Sequence, residues 1–389
     1  MARPRRQLVI LQPSPFCNID CRYCYLPHRN RRERMSSDTL HQIYEAVFTS
    51  QRLRDPITFL WHAGEPLAVG HRFYEEAFAL AAEINQRHGR TYIHNIQTNA
   101  TLIDEQWIDL FARHQVLLGV SVDGPAFLHD RQRVTRSGKG THTQVMAGIR
   151  QLQEHAIDFE VITVLTDFAL DYPDALFDFY VAHDIRSVGF NIDEIEGIHR
   201  SSTYQTDHAE RRYRRFMHRF LERVNAQPER LRVREFRASL PVLLDPAVAM
   251  GDGEGFNNTN VPLQILTINY QGDYTTFCPE LMGTPDSAYG DFIMGNVFEL
   301  PIDEIESSSV FQQVNRAVQA GVQACKANCD YWALCGGGSP ANKYFETGRL
   351  DTTETMHCRI HVKALAETIV TFYEGQLVDQ PPRPSSVDC

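Results

Sequence analysis

Three cysteines fall within eight residues near the N-terminus: Cys17, Cys21 and Cys24, in FCNIDCRYCY, with C-x3-C-x2-C spacing. Thiolates are the usual ligands of iron–sulfur clusters, and three of them on a four-iron cluster leave one iron open for chemistry. The competing assignment is a zinc site completed by His28. Structural zinc usually draws on paired C-x2-C knuckles, and this spacing is not one. A second group, Cys325, Cys329, Cys335 and Cys358, is spaced C-x3-C-x5-C-x22-C. Four thiolates close a cluster completely, with structural zinc as the alternative. No cysteine lies between Cys24 and Cys278, which stands apart from both groups, and Cys389 in the tail is expected to be idle.

Other residues suited to chemistry recur at the ends of apolar stretches. His62-Ala63-Gly64-Glu65-Pro66 offers a carboxylate that can hold an ammonium, beside a glycine that admits close approach to the backbone. Gln97 and Asn99 follow in IQTNAT, Ser121 and Asp123 in GVSVDGP, Arg136 in RVTRSGKGTH, and Leu165 ends FEVITVL. Singly, such residues are most often loop, cap or solvated side chains. Their order behind the cysteine motif is what makes them candidates.

These residues need a scaffold that gathers strand ends. From residue 7 to about 195, LVILQ, ITFLWH, YIHNIQ, VLLGVSVD, FEVITVL and SVGFNI read as strands separated by helix-patterned segments. Two of those segments run from Asp38 to Gln51, with Ser37 as N-cap, and from Tyr74 to Arg87. Six βα units in series imply an α/β fold with a parallel sheet, expected to be a partial, TIM-like (β/α)6 barrel; a doubly wound sheet is the alternative. Either way the working residues gather at the C-terminal strand ends. The connection from Gln12 to Ser36, about 25 residues, exceeds a plain βα loop and holds the first three cysteines.

A basic helix over Asp207–Asn225 leads out of the barrel. Beyond it, LQILTINYQGDYTTFC reads as a hairpin turning at Gln271-Gly272-Asp273, and DFIMGNVFE as another strand. A helix over Ile302–Ala320, a cysteine-rich loop and a helix over Arg359–Tyr373 complete a smaller α+β domain. The expected division is 1–235 for the barrel, 236–375 for the second domain and 376–389 for a Pro- and Ser-rich disordered tail.

The chain has 389 residues and a net charge of −11, which argues against a partner that is nucleic acid. No apolar run approaches the roughly 18 residues of a membrane span. Leu8–Leu11 is too short for a signal-peptide core, so a cytoplasmic location is expected and the cysteines are read as metal ligands rather than disulfides.

The C-x3-C-x-aromatic-C pattern, with the strand-end motifs in order, resembles the radical S-adenosylmethionine (SAM) superfamily. The resemblance implies a SAM-binding four-iron four-sulfur cluster on Cys17, Cys21 and Cys24. It also implies SAM contacts by Tyr23, Gly64, Glu65, Gln97, Asn99, Ser121, Asp123 and Arg136, with Leu165 against the adenine. Ala63 stands where the family's GGEP motif has glycine. The second cysteine group resembles the SPASM domain of peptide-modifying members, with one extra residue between Cys325 and Cys329, and implies one auxiliary four-iron four-sulfur cluster. Ser339 stands where a further auxiliary cysteine is expected, which leaves Cys278 as a free thiol.

QPSPFCNIDCRYCYLP, WHAGEP, VGFNIDEIEGIHRSS, FCPELMG, GNVFE and CGGGSPANKYFETG together resemble the cyclophane-forming maturases of the glycine-rich-repeat type, over residues 7–375. That likeness implies a precursor-peptide substrate, an aromatic-ring to Cβ crosslink, and an electron donor such as flavodoxin or ferredoxin. Pro279 replaces an acid found beside the Cys278 position in some relatives, so Glu280, Glu194 and Glu196 are the candidates for the base. Formylglycine-forming sulfatase activation and a non-catalytic iron–sulfur carrier are the competing functions. No extra leader-binding domain is expected.

Overall fold

The computed structural model describes residues 7–245 and 257–378. Cys389 and nearly all of the expected tail lie outside the described residues.

All six expected strands form: β1 (Gln7–Leu11), β2 (Ile57–Trp61), β3 (Tyr92–Thr98), β4 (Leu117–Ser121), β5 (Phe159–Leu165) and β6 (Ser187–Ile192). A short β7, Arg232–Val233, joins them; at two residues it has no periodicity to read. From β1 to β7 the strands lie in chain order and every neighbouring pair is parallel. Right-handed crossovers in unreversed order place every helix on the same face, which is barrel winding. A doubly wound sheet needs a point where the order of its βα units reverses, and from β1 to β7 there is none. The partial barrel is the observed architecture.

The helix Ser37–Thr49 forms much as expected, capped one residue earlier by Ser36, whose Oγ accepts from the Thr39 amide at 3.1 Å. Such a cap contributes about 1 kcal/mol. The next helix, His71–Asn85, sets Tyr74 edge-on against Trp61 at 5.0 Å, and both side chains are fully buried. Burying each large apolar side chain stabilises by roughly 1.5–3 kcal/mol. This packing anchors β2, and with it the loop that carries Glu65.

The hairpin of β8 (Ile265–Ile268) and β9 (Asp273–Thr276) turns where expected, with Gly272 at φ +89° and its amide donating to Asn269 O at 3.0 Å. The strand expected over DFIMGNVFE reduces to β10, Gly295–Asn296. The hairpin does not stand apart from the barrel. β8 pairs in parallel with β1, Leu8 opposite Ile265 through Leu11 opposite Ile268, so one ten-stranded sheet runs β10-β9-β8-β1-β2-β3-β4-β5-β6-β7.

Helices Ser309–Asn328, Trp332–Cys335 and Pro340–Thr347 follow, and then a π-helical turn, Cys358–Ala364, continues as the α-helix Leu365–Val378. That last helix reaches three residues into the segment expected to be disordered. It is fastened to the helix Ala209–Ala226 by Tyr213 Oη and His361 Nδ1 at 2.8 Å and by Arg214 and Glu367 at 2.6 Å.

Candidate active site

The first cysteine loop leaves the C-terminal end of β1 and is held by backbone from later strand ends. The Glu65 amide donates to Phe16 O at 2.8 Å, and the Ile198 amide to Tyr25 O at 3.1 Å. Two glycines with positive φ make those approaches possible. A Cβ on Gly64 (φ +60°) would stand 2.4 Å from Phe16 O, and one on Gly197 (φ +53°) 2.2 Å from Tyr25 O. The sequence suggested that Gly64 admits a ligand to the backbone; what it admits here is the cysteine loop. Ala63 also takes a left-handed conformation, φ +73°, the region a glycine in that position would favour.

Within the loop the Cys24 amide donates to Cys21 O at 3.2 Å. Burial pushes the Cys17 thiol up to about 12 and the Cys21 thiol to about 11. Donors face both sulfurs: Asn99 Nδ2 lies 4.0 Å from Cys17 Sγ, and Arg133 Nη1 lies 3.9 Å from Cys21 Sγ. N–H groups and a guanidinium around sheltered sulfur suit an anionic thiolate–iron cluster. Among the described residues, no three His, Cys, Asp or Glu side chains are arranged to hold a single metal ion.

Glu65 is 2% exposed. Its carboxylate accepts from the Leu67 amide (3.0 Å), Thr98 Oγ1 (2.7 Å) and the Asn99 amide (2.8 Å). A carboxylate has about four acceptor positions, so one is left. No cation lies within ion-pair distance of it among the described residues, and burial raises its pKa. A buried acid with a vacant acceptor position suits an ammonium partner. Neighbouring strand-end groups are tied together. Gln97 Nε2 donates to Ser121 Oγ at 3.0 Å, its side chain lying over Gly119, where a Cβ would meet Gln97 Oε1 at 2.0 Å. Asn99 Nδ2 also donates to Asn18 Oδ1 at 2.9 Å. Leu165 ends β5 wholly buried.

Asp123 is committed to protein partners: Tyr23 Oη at 2.5 Å, the Val164 amide at 3.0 Å, and Arg133 Nε at 3.1 Å, an ion pair off the hydrogen-bonding direction. The sequence singled out Arg136 and passed over Arg133, three residues earlier. Arg133, just past the helix Ala126–Gln132, is buried behind Cys21. Arg136 is exposed, and its guanidinium donates to Cys17 O at 2.6 Å, to Arg29 O and to Asn30 Oδ1. It fastens the cysteine loop. Which arginine turns inward depends on where that helix ends, and no spacing reveals it.

The three candidate bases come together. Burial, then the charge of Glu194, pushes Glu280 up to about 7. Burial, then Glu194 and Glu280, holds Glu196 well above the carboxylate range. Glu194 accepts from Asn342 Nδ2 at 2.5 Å and stands 3.7 Å from His357 Nε2. Two neighbours were not foreseen. Glu346 adds repulsion to Glu196, and Tyr25, on the first cysteine loop, feels Glu280, Glu196 and Cys24 while its buried Oη has no hydrogen-bond partner among the described residues.

In the second group, burial raises Cys335 and pushes Cys358 up to about 11, and each feels Cys329 electrostatically. Gly336, Gly337 and Gly338 all have positive φ, and the amides of Gly337 and Gly338 hydrogen-bond the Cys335 sulfur, a backbone nest for an anion. Asn257 and Asn260 hold Cys335 O and Gly336 O, each at 2.9 Å. The π-helical turn begins at Cys358. Cys278 is 1% exposed and faces Ser339. The sequence did not single out Lys343, whose Nζ is 3.7 Å from Cys325 Sγ.

The model of the radical SAM superfamily matches residues 11–180, the span holding the first cysteine loop and the first five strand ends. A protein called sll1766, from Synechocystis, is 39% identical over 95% of this chain and 92% of its own length. A cysteine-type anaerobic sulfatase-maturating enzyme from Clostridium novyi is 25% identical over 86% and 88%. Among solved structures, anSMEcpe with bound AdoMet superposes with a TM-score of 0.75 at 19% identity, over 96% of this chain and 98% of its own. Streptococcus suis SuiB bound to precursor peptide SuiA gives 0.62 at 15% identity, over 90% and 75%. With the cysteine loop at the end of β1 and the family model matched over residues 11–180, this chain carries a radical SAM domain.

Proposed function

We propose that this radical SAM enzyme modifies a ribosomally made precursor peptide by joining an aromatic ring to a nearby Cβ. When bound, SAM and a cluster on Cys17, Cys21 and Cys24 supply a 5′-deoxyadenosyl radical, and an auxiliary cluster on Cys325, Cys329, Cys335 and Cys358 supplies an acceptor for one electron. The peptide gives up a hydrogen atom from Cβ, a ring proton and one electron, and gains a carbon–carbon bond. Glu65 holds the SAM ammonium at its vacant acceptor position, and Arg133 and Asn99 steady the sulfurs. A flavodoxin- or ferredoxin-like protein is the proposed electron donor.

The observation that carries this reading is the carboxylate cluster. Glu280, with a pKa near 7, is poised to accept a ring proton at neutral pH, and Glu194 and Glu196 can share it. SuiB, with a similar fold, is bound to a precursor peptide in its own structure, which is in keeping with a peptide substrate. The whole-length likeness to a sulfatase-maturating enzyme favours formylglycine formation as the second reading. Co-expression with a short, aromatic-containing precursor peptide from a neighbouring reading frame separates the two. Loss of two hydrogens, with a new ring–Cβ bond in tandem mass spectra, supports crosslinking. Conversion of a sulfatase Ser or Cys to formylglycine, with the peptide unchanged, overturns it.

A further inference from the structure

Lys343 is 2% exposed, and no carboxylate lies within ion-pair distance of its ammonium among the described residues. It sits on the helix Pro340–Thr347 and points at the second cysteine group, with Nζ 3.7 Å from Cys325 Sγ. Its charge is felt by Cys325, Cys335 and Cys358. The space for it is built in. A Cβ on Gly321, in the facing helix Ser309–Asn328, would stand 2.9 Å from Nζ and 2.5 Å from Leu350 O. A buried ammonium without a carboxylate partner is strongly disfavoured unless another anion compensates it; here the Cys325 sulfur is within reach, and Asp351, which feels the Lys343 charge, is already paired with Arg349.

We propose that Lys343 is a positioning residue that sets the reduction potential of the auxiliary cluster, an inference that rests on the four cysteines holding such a cluster. Reduction adds one negative charge to the cluster. A sheltered cation beside it stabilises the reduced form more than the oxidised form, which raises the potential and makes the site a better electron acceptor. Lys363 provides an internal comparison. It too interacts with Cys358 and Cys329, but it is more exposed than Lys343 and paired with Glu354, so its charge is already offset.

The test uses the full chain carrying Cys17→Ala, Cys21→Ala and Cys24→Ala, so that only the auxiliary site can respond. After anaerobic reconstitution, iron content and an EPR-monitored redox titration are measured with Lys343→Met, Lys343→Arg or Lys363→Met added. Lys343→Met should keep the iron and shift the reduction equilibrium at least tenfold toward the oxidised form, about 59 mV for one electron. Lys343→Arg and Lys363→Met should stay close to the parent. An unchanged potential in Lys343→Met, or loss of iron in both Lys343 variants, overturns the proposal. A parent that binds no iron, or a redox-silent metal, removes the auxiliary cluster itself and is recognised before any Lys343 variant is compared.

Discussion

The Sγ of Cys278 stands 3.5 Å from the Oγ of Ser339. Serine stands here where a second cysteine would pair with Cys278, and we propose that Cys278, hydrogen-bonded to Ser339, is a spare thiol. Cys278→Ala should therefore keep full iron after anaerobic reconstitution, whereas Cys335→Ala should lose about half. Iron loss in the Cys278 variant, with retention in Cys329→Ala, would reassign the ligands.

The triple change of Cys17, Cys21 and Cys24 to Ala should reduce iron from about eight to about four per chain and abolish 5′-deoxyadenosine formation from SAM. Chromatographic quantification of that product under strong reductant is the check. Cleavage that survives the triple change is incompatible with the proposed site.

Glu65→Gln should weaken SAM binding by about 1.5–3 kcal/mol, the worth of a hydrogen bond to a charged group, with both clusters retained. Calorimetry on the reconstituted protein measures it, and an affinity equal to that of the parent would show that the ammonium binds elsewhere. Glu65 also accepts two backbone amides, so some loss of thermal stability should accompany the change.

Arg133→Met removes one partner of a buried ion pair and leaves Asp123 uncompensated. Breaking such a pair costs about 3–5 kcal/mol, so the denaturation midpoint should fall steeply. Arg136→Met, at an exposed position, should cost far less stability. Equal midpoints for the two variants would refute the distinction between them.

Glu280 is raised to about 7 by burial first and by Glu194 second. Its base form therefore dominates only above neutrality, and peptide modification should rise with pH through about 7. The fold prefers its protonated form. The stability Glu280 contributes is present below the ordinary carboxylate range and is lost as pH rises through about 7. In Glu280→Gln both dependences should flatten, while SAM cleavage without modification persists. A modification profile in that variant that still rises through pH 7 would move the base role to another group.

The features legible in the sequence are those set by short spacing. The C-x3-C-x2-C motif needs only one loop, and six apolar β-branched stretches need only local alternation, so the first cysteine site and β1–β6 could be read along the chain. Glu65, Asn99 and Asp123 could be placed because parallel strands bring their C-terminal ends to one side whatever their exact neighbours. Tertiary structure decided the rest. β8 joins β1 through register across more than 250 residues, which merges the hairpin with the barrel sheet. Arg133 rather than Arg136 lies behind Cys21 because of where one short helix stops. Glu194, Glu196, Glu280, Glu346 and Tyr25 meet only when the loop after β6, the turn after β9, the helix Pro340–Thr347 and the first cysteine loop converge. Lys343 faces thiolate sulfur because a glycine on another helix leaves room for its ammonium. Burial and long-range approach create those charges' environments, and neither is a property of residues adjacent in the chain.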